Sequence, residues 1–162
     1  MAHITTHEFG NVSTDLKLSM VAGYLRAFTT ALQHKPSPNR PFKLWYIDAF
    51  AGTGERTVRL AASEANLLGP SIEERIEARR GSAQIALNTE PQFNRLIFME
   101  RKLRHVAALQ ELAVRHPTRD ITVLKGDANK HIQAATNWSG WKSVRAVMFL
   151  DPYGMGVEWE TL

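Results

Sequence analysis

Leu44–Gly54 reads L-W-Y-I-D-A-F-A-G-T-G, and this stretch decides the fold. An apolar, aromatic-rich run stops at an acid, Asp48, and passes straight into a turn of small residues. That pattern describes a buried strand delivering its carboxyl end to a ligand loop. The run is continuous, not alternating, so both faces of the strand are expected to be covered, as in a parallel sheet flanked by helices. The strand is predicted over Lys43 to Phe50.

Upstream, residues 1 to about 12 carry no periodic signal and read as a loosely held lead-in. Ser13 and Thr14 are cap residues for a helix running to about His34, with Leu18, Val21, Leu25, Phe28 and Leu32 on one face. Pro36, Pro38 and Pro41 then make a stiff connector. Downstream of Gly54, roughly forty residues pass before the next strand, a long connection for such a unit. Ser71 and Glu74 form a capping-box signature for a short charged helix, E-E-R-I-E-A-R-R, ending at Gly81. A second helix, S-A-Q-I-A-L, starts at Ser82. Residues 55–94 therefore read as a helical insertion at the carboxyl end of the first strand.

Strand and helix alternate from there on. Strands are predicted at Arg95–Glu100, Ile121–Leu124 and Val144–Leu150, with helices from Leu103 to before Pro117 and from Asn129 to Thr136. The fold class is α/β: a Rossmann-like parallel sheet in a three-layer αβα sandwich, its strands ordered third, second, first, fourth. Residues 1–41 form the lead-in and a helix packed on the sheet; residues 42–162 form the ligand-binding domain. The sequence stops within a dozen residues of the fourth strand, so that strand is expected to be an uncovered edge. The reading is of a domain truncated there, or one completed by association through that strand.

Composition sets the bounds. The chain has 162 residues, 44% hydrophobic and 22% charged, which suits one globular domain with a core. No apolar run reaches the roughly 18 residues that would span a membrane. There is no secretory signal pattern and no cysteine, which leads to a cytoplasmic expectation and excludes disulfides and thiolate metal sites. The six histidines show no ligand spacing, so no metal is expected. A net charge of +4 permits a nucleic-acid partner without demanding one; Arg56, Arg59, Arg75, Arg79, Arg80, Arg101, Lys102, Lys125 and Lys130 are the candidates for a phosphate-binding rim.

The four strands each lead to an acid: Asp48, Glu100, Asp127 and Asp151. In an open parallel sheet these positions converge on one crevice. Gly52 and Gly54 allow close approach of backbone to a ligand. A dinucleotide fingerprint needs a third glycine where Thr57 stands, and Asp48 would face a pyrophosphate charge against charge. Asp48 suits a ligand with a cationic amine, such as the amino-acid end of S-adenosylmethionine. Glu100 can then accept from two ribose hydroxyls, and Asp127 from an adenine amine while Ala128 leaves room for the ring. Asp127 reads equally as a plain helix cap.

D-A-F-A-G-T-G resembles motif I of class I S-adenosylmethionine-dependent methyltransferases in the D-x-F-x-G-x-G form, which brings Phe50 into the cofactor set; F-M-E, G-D-A and F-L-D-P-Y-G fall where the next three motifs fall. More closely, K-L-S-M-V-A-G-Y-L-R-A-F, F-K-L-W-Y-I-D-A-F-A-G-T-G, G-S-A-Q-I-A-L and F-L-D-P-Y-G-M resemble the three-Cys-motif partner protein (TcmP) family over about residues 15 to 162. The resemblance implies a methyltransferase-like fold and a bacterial protein working beside a cysteine-motif partner.

Base amino-methyltransferases often carry D-P-P-Y, whose first residue and a backbone carbonyl accept from the target amine while the aromatic stacks on the base. The corresponding residues are Asp151, Pro152 and Tyr153, in a D-P-Y-G that is one proline short. Two functions stay open. One is methyl transfer from S-adenosylmethionine to an exocyclic amine of a nucleic-acid base, with the 162-residue chain inactive alone. The other is a catalytically silent, methyltransferase-like partner subunit of a bacterial complex. A nicotinamide-dependent oxidoreductase is disfavoured by Thr57 and Asp48.

Overall fold

The computed structural model of this chain describes residues 7–53, 55–60, 75–152 and 156–161. In chain order, α1 (His7–Leu32) leads into β1 (Lys43–Asp48), followed by β2 (Glu55–Leu60), β3 (Arg75–Arg80) and α2 (Ser82–Leu87). Then come β4 (Arg95–Glu100), α3 (Leu103–Arg115), β5 (Ile121–Lys125), α4 (Ala128–Thr136) and β6 (Val144–Phe149), with short 3₁₀ turns at Ser139–Ser143 and Trp159–Thr161.

The centre is a four-stranded sheet ordered β5-β4-β1-β6, parallel at every pairing. This is the third, second, first, fourth order expected. Asp48 pairs in register with Phe98 and with Phe149, so β1 and β6 end level and β4 runs two residues further, to Glu100.

The period-two geometry of strands sends alternate residues of β1 and β4 to opposite faces. Leu44 and Tyr46 of β1 and Leu96 and Phe98 of β4 pack with Leu25 of α1, Ala83 and Ala86 of α2, and Leu109 and Leu112 of α3. Ile47 and Met99 pack on the other face with Ala128 and Ile132 of α4, and Trp141 closes that layer. The Trp141 indole N–H donates to the Ala135 carbonyl at 2.8 Å, and the Trp138 ring stacks on Trp45 at 5.1 Å. Both sheet faces are thus covered by helices, the reason the strand sequences run apolar without alternation.

Two expectations are corrected. The lead-in to residue 12 is helical from His7 onward, so Ser13 and Thr14 lie inside α1 and do not cap it. The insertion after β1 is not all helical: β2 and β3 form an antiparallel pair, in register from Glu55↔Arg80 to Leu60↔Arg75. In R-I-E-A-R a charged residue alternates with Ile76 and Ala78, a strand period, and Thr57 and Val58 opposite are β-branched. The capping residues Ser71 and Glu74 lie outside the described residues. The helix at S-A-Q-I-A-L forms as expected.

Among the described residues β6 pairs only with β1. Beside its other edge an apolar groove of about 720 Å³ runs between β6 and α1, where Leu16, Met20 and Tyr24 are 62%, 68% and 59% exposed. Among the described residues no helix is long and apolar enough to cross a membrane.

Candidate functional site

The carboxyl ends of β1, β4 and β5 open on a cleft of about 650 Å³, a volume suited to a nucleoside-sized ligand. Ala49, Phe50, Met99, Glu100, His105, Asp127, Ala128 and Asn129 line it. The side chains of Arg101 and Lys102 reach its rim, and Lys125 and Lys130 are exposed at the same end of the sheet. The side chains of Arg56, Arg59, Arg75, Arg79 and Arg80 lie outside the described residues.

Asp48 ends β1 with no exposed surface. It shares the face of Tyr46 and so turns under α2 instead of into the cleft. Its Oδ2 accepts from the Tyr46 hydroxyl at 3.2 Å and its Oδ1 from the Phe50 N–H at 3.2 Å, and the Ser82 hydroxyl also bonds to it. Burial raises its carboxyl from the usual 3.8 to about 6, while the bonds from Ser82, the Phe50 N–H and Tyr46 work in the opposite direction. Burial, with Asp48 beside it, also pushes the Tyr46 phenol well above its usual 10.0. Asp48 therefore lies beneath the turn, and it is not among the residues that line the cleft.

The turn itself is built around Gly52, whose φ of +62° is costly for any residue with a Cβ. This conformation aims the Gly52 N–H across the sheet at Glu100 Oε2, 3.0 Å away. Glu100 Oε1 accepts from the N–H groups of Arg101 and Lys102, both at 2.8 Å. Three backbone donors thus take three of the roughly four acceptor positions of this carboxylate. Near the fourth stands His105 Nδ1, 3.4 Å from Oε2 but outside hydrogen-bond geometry, a buried nitrogen with no partner. Such an orphan is rare and costs free energy unless something bonds to it. Gly54 lies outside the described residues.

Asp127 carries both readings the sequence left open. Its Oδ1 caps α4 by accepting from the Asn129 N–H at 3.0 Å, and accepts from the Asn129 side-chain amide at 3.4 Å. Those bonds occupy one oxygen, on an exposed residue that lines the cleft. Ala128, which also lines the cleft, is buried.

Asp151 follows β6, half-exposed, and forms an ion pair with Lys17 of α1. Pro152 is half-buried beside it, and Tyr153 lies outside the described residues. The fold therefore brings Phe50, Glu100, Asp127 and Ala128 to one cleft and Gly52 to its edge. Asp48 lies beneath it, and Asp151 stands at the neighbouring strand end.

Three participants are invisible to motif reading. Lys17 sits on an apolar-patterned helix far from Asp151 in sequence, His105 reads as the exposed side of α3, and Asn129 reads as an ordinary first-turn residue. Only the fold juxtaposes them. Comparison with known proteins finds no protein-family model that matches the chain, no matching characterised protein and no matching solved structure.

Proposed function

We propose that this chain binds S-adenosylmethionine in the cleft and transfers its methyl group to an exocyclic amine of a nucleic-acid base. One observation carries the reading. Glu100, ending β4, has three of its roughly four acceptor positions taken by backbone donors, and Asp127, after β5, keeps an oxygen free of hydrogen bonds; both line the one cleft. A hydroxyl acceptor and an amine acceptor thus line one nucleoside-sized space. The remaining acceptor position of Glu100 supports the fit most directly, since a ribose hydroxyl would donate to it. The free Asp127 oxygen would take the adenine amine, and Phe50 and Ala128 the ring faces.

The cofactor supplies an electrophilic methyl on a sulfonium centre. The protein's own contribution is positioning. In this reading Asp151, two residues past β6, accepts a hydrogen bond from the target amine once released from Lys17, leaving the nitrogen lone pair for the methyl. Arg101, Lys102, Lys125 and Lys130, at the same end of the sheet, suit contacts with a phosphate backbone. The motif resemblances to class I methyltransferases and to the TcmP family add weight to the same reading, including a bacterial source and a cysteine-motif partner.

A second reading, a catalytically silent binding subunit, draws on the ion pair of Asp151 with Lys17, which occupies the carboxylate a substrate would need, and on the missing second proline. Incubation with methyl-labelled S-adenosylmethionine and total RNA or DNA, followed by nucleoside analysis, separates the two. Label in an amine-methylated nucleoside supports the enzyme. Cofactor binding without transfer supports the silent subunit, and absence of cofactor binding defeats the enzyme.

A further inference from the structure

The segment Gly156–Thr161, a few positions past Asp151, returns to the amino end of α4, and the side chain of Asn129 bonds it there at three points. Asn129 is 9% exposed. Its Nδ2 donates to the Gly156 carbonyl at 3.1 Å and to Asp127 Oδ1 at 3.4 Å. Its Oδ1 accepts from the Glu158 N–H at 3.1 Å and from the Thr161 hydroxyl at 2.9 Å. A primary amide has two donors and two acceptor sites, so every hydrogen-bonding position of Asn129 is used. Gly156 and Glu158, the residues it anchors, are themselves lining residues of the cleft.

We propose that Asn129 is a positioning residue of the ligand site: it fixes the outer wall of the adenine side by tying the segment after Asp151 to the Asp127 carboxylate. This rests on the adenosyl reading above. A cap residue needs only the backbone N–H of residue 129, and Asp127 obtains that bond from any amino acid there. The side-chain amide does something further. It holds one Asp127 oxygen, leaving the other free of hydrogen bonds, and ties Gly156 and Glu158, which also line the cleft, to the same side chain. Without the amide, Asp127 can rotate about its cap bond and the segment loses three anchors, so the wall must be ordered at the moment of binding, at the expense of affinity.

The test combines amide hydrogen exchange over residues 156–161 with calorimetric titration of S-adenosylhomocysteine, on the full chain and on Asn129→Ala and Asn129→Asp. The Asp variant keeps both acceptors for Glu158 and Thr161 but sets a carboxylate against Asp127 and the Gly156 carbonyl. Expected are faster exchange in the segment and about tenfold weaker binding in both variants, the scale of one or two lost hydrogen bonds. Should neither variant fold, Thr161→Val removes a single bond from the rim, with about threefold weaker binding expected. Faster exchange with affinity within twofold of the parent chain overturns the proposal, as does exchange left unchanged. Failure of the unsubstituted chain to bind S-adenosylhomocysteine defeats the adenosyl reading and this role with it, and is recognised in that chain alone.

Discussion

Replacing Asp48 by asparagine exchanges a carboxylate oxygen for an NH₂ group on a side chain that has no exposed surface. Burial raises this carboxyl from 3.8 to about 6, against the bonds from Ser82, Phe50 and Tyr46. The folded state therefore binds the proton more tightly than the unfolded chain does. Between about pH 4 and pH 6 the folded state carries more protons, so stability falls as pH rises, and above about pH 6 the whole penalty remains. At 1.36 kcal/mol for each pKa unit the penalty is about 3 kcal/mol. The substituted amide would be neutral throughout, with an oxygen to accept from the Phe50 N–H and an NH₂ to donate to the Tyr46 oxygen once that hydroxyl rotates. Allowing for imperfect bonding of the amide, Asp48→Asn is expected to stabilise the chain by about 1–3 kcal/mol near neutral pH and by little near pH 3.5. Urea unfolding of both proteins across this range gives the comparison directly. A substituted protein that is less stable at every pH, with the parent's pH dependence intact, would refute the reasoning: the carboxylate would then be a favourable acceptor and not a desolvated charge. A stabilising substitution at the end of the first strand that also weakened cofactor binding would mark Asp48 as retained for function at a cost in stability.

Two further substitutions probe neighbouring features. Gly52→Ala meets no steric neighbour but forces a Cβ into a φ of +62°, so a loss of about 1 kcal/mol in unfolding free energy is expected, with weaker binding of S-adenosylhomocysteine as the Gly52–Glu100 bond is disturbed. Lys17→Met breaks an ion pair whose side chains are 43% and 41% exposed, so stability should change by less than about 1 kcal/mol. If Asp151 presents the target amine, the same variant should alter kcat for methyl transfer while leaving cofactor affinity in place.

Four strands and their order are legible because each is a short, mostly apolar run, buried in the central β1 and β4 and half-buried in the outer β5 and β6, a signal that survives without tertiary knowledge. Glu73–Arg80 reads as helix because its residues are good helix formers by composition, whereas β3 depends on pairing with β2 across residues 61–74. The start of α1 is hidden because Ser13 and Thr14 are cap residues by preference, yet helix-interior positions disfavour them by only tenths of a kcal/mol. The acids of the site can be placed at strand ends from sequence alone, since topology fixes that. Their bonding cannot: the inward turn of Asp48, the Gly52 N–H on Glu100 and the bonds of the Asn129 amide to Gly156, Glu158 and Thr161 all depend on contacts between elements distant in the chain.

The central claim is that the cleft between Glu100 and Asp127 takes an adenosyl ligand. Calorimetric titration of S-adenosylhomocysteine into the chain and into Glu100→Ala tests it most directly. Saturable one-to-one binding is predicted, weakened at least about tenfold by the substitution, because hydrogen bonds to a charged acceptor are the stronger class. No saturable binding, or binding that Glu100→Ala leaves untouched, would contradict it.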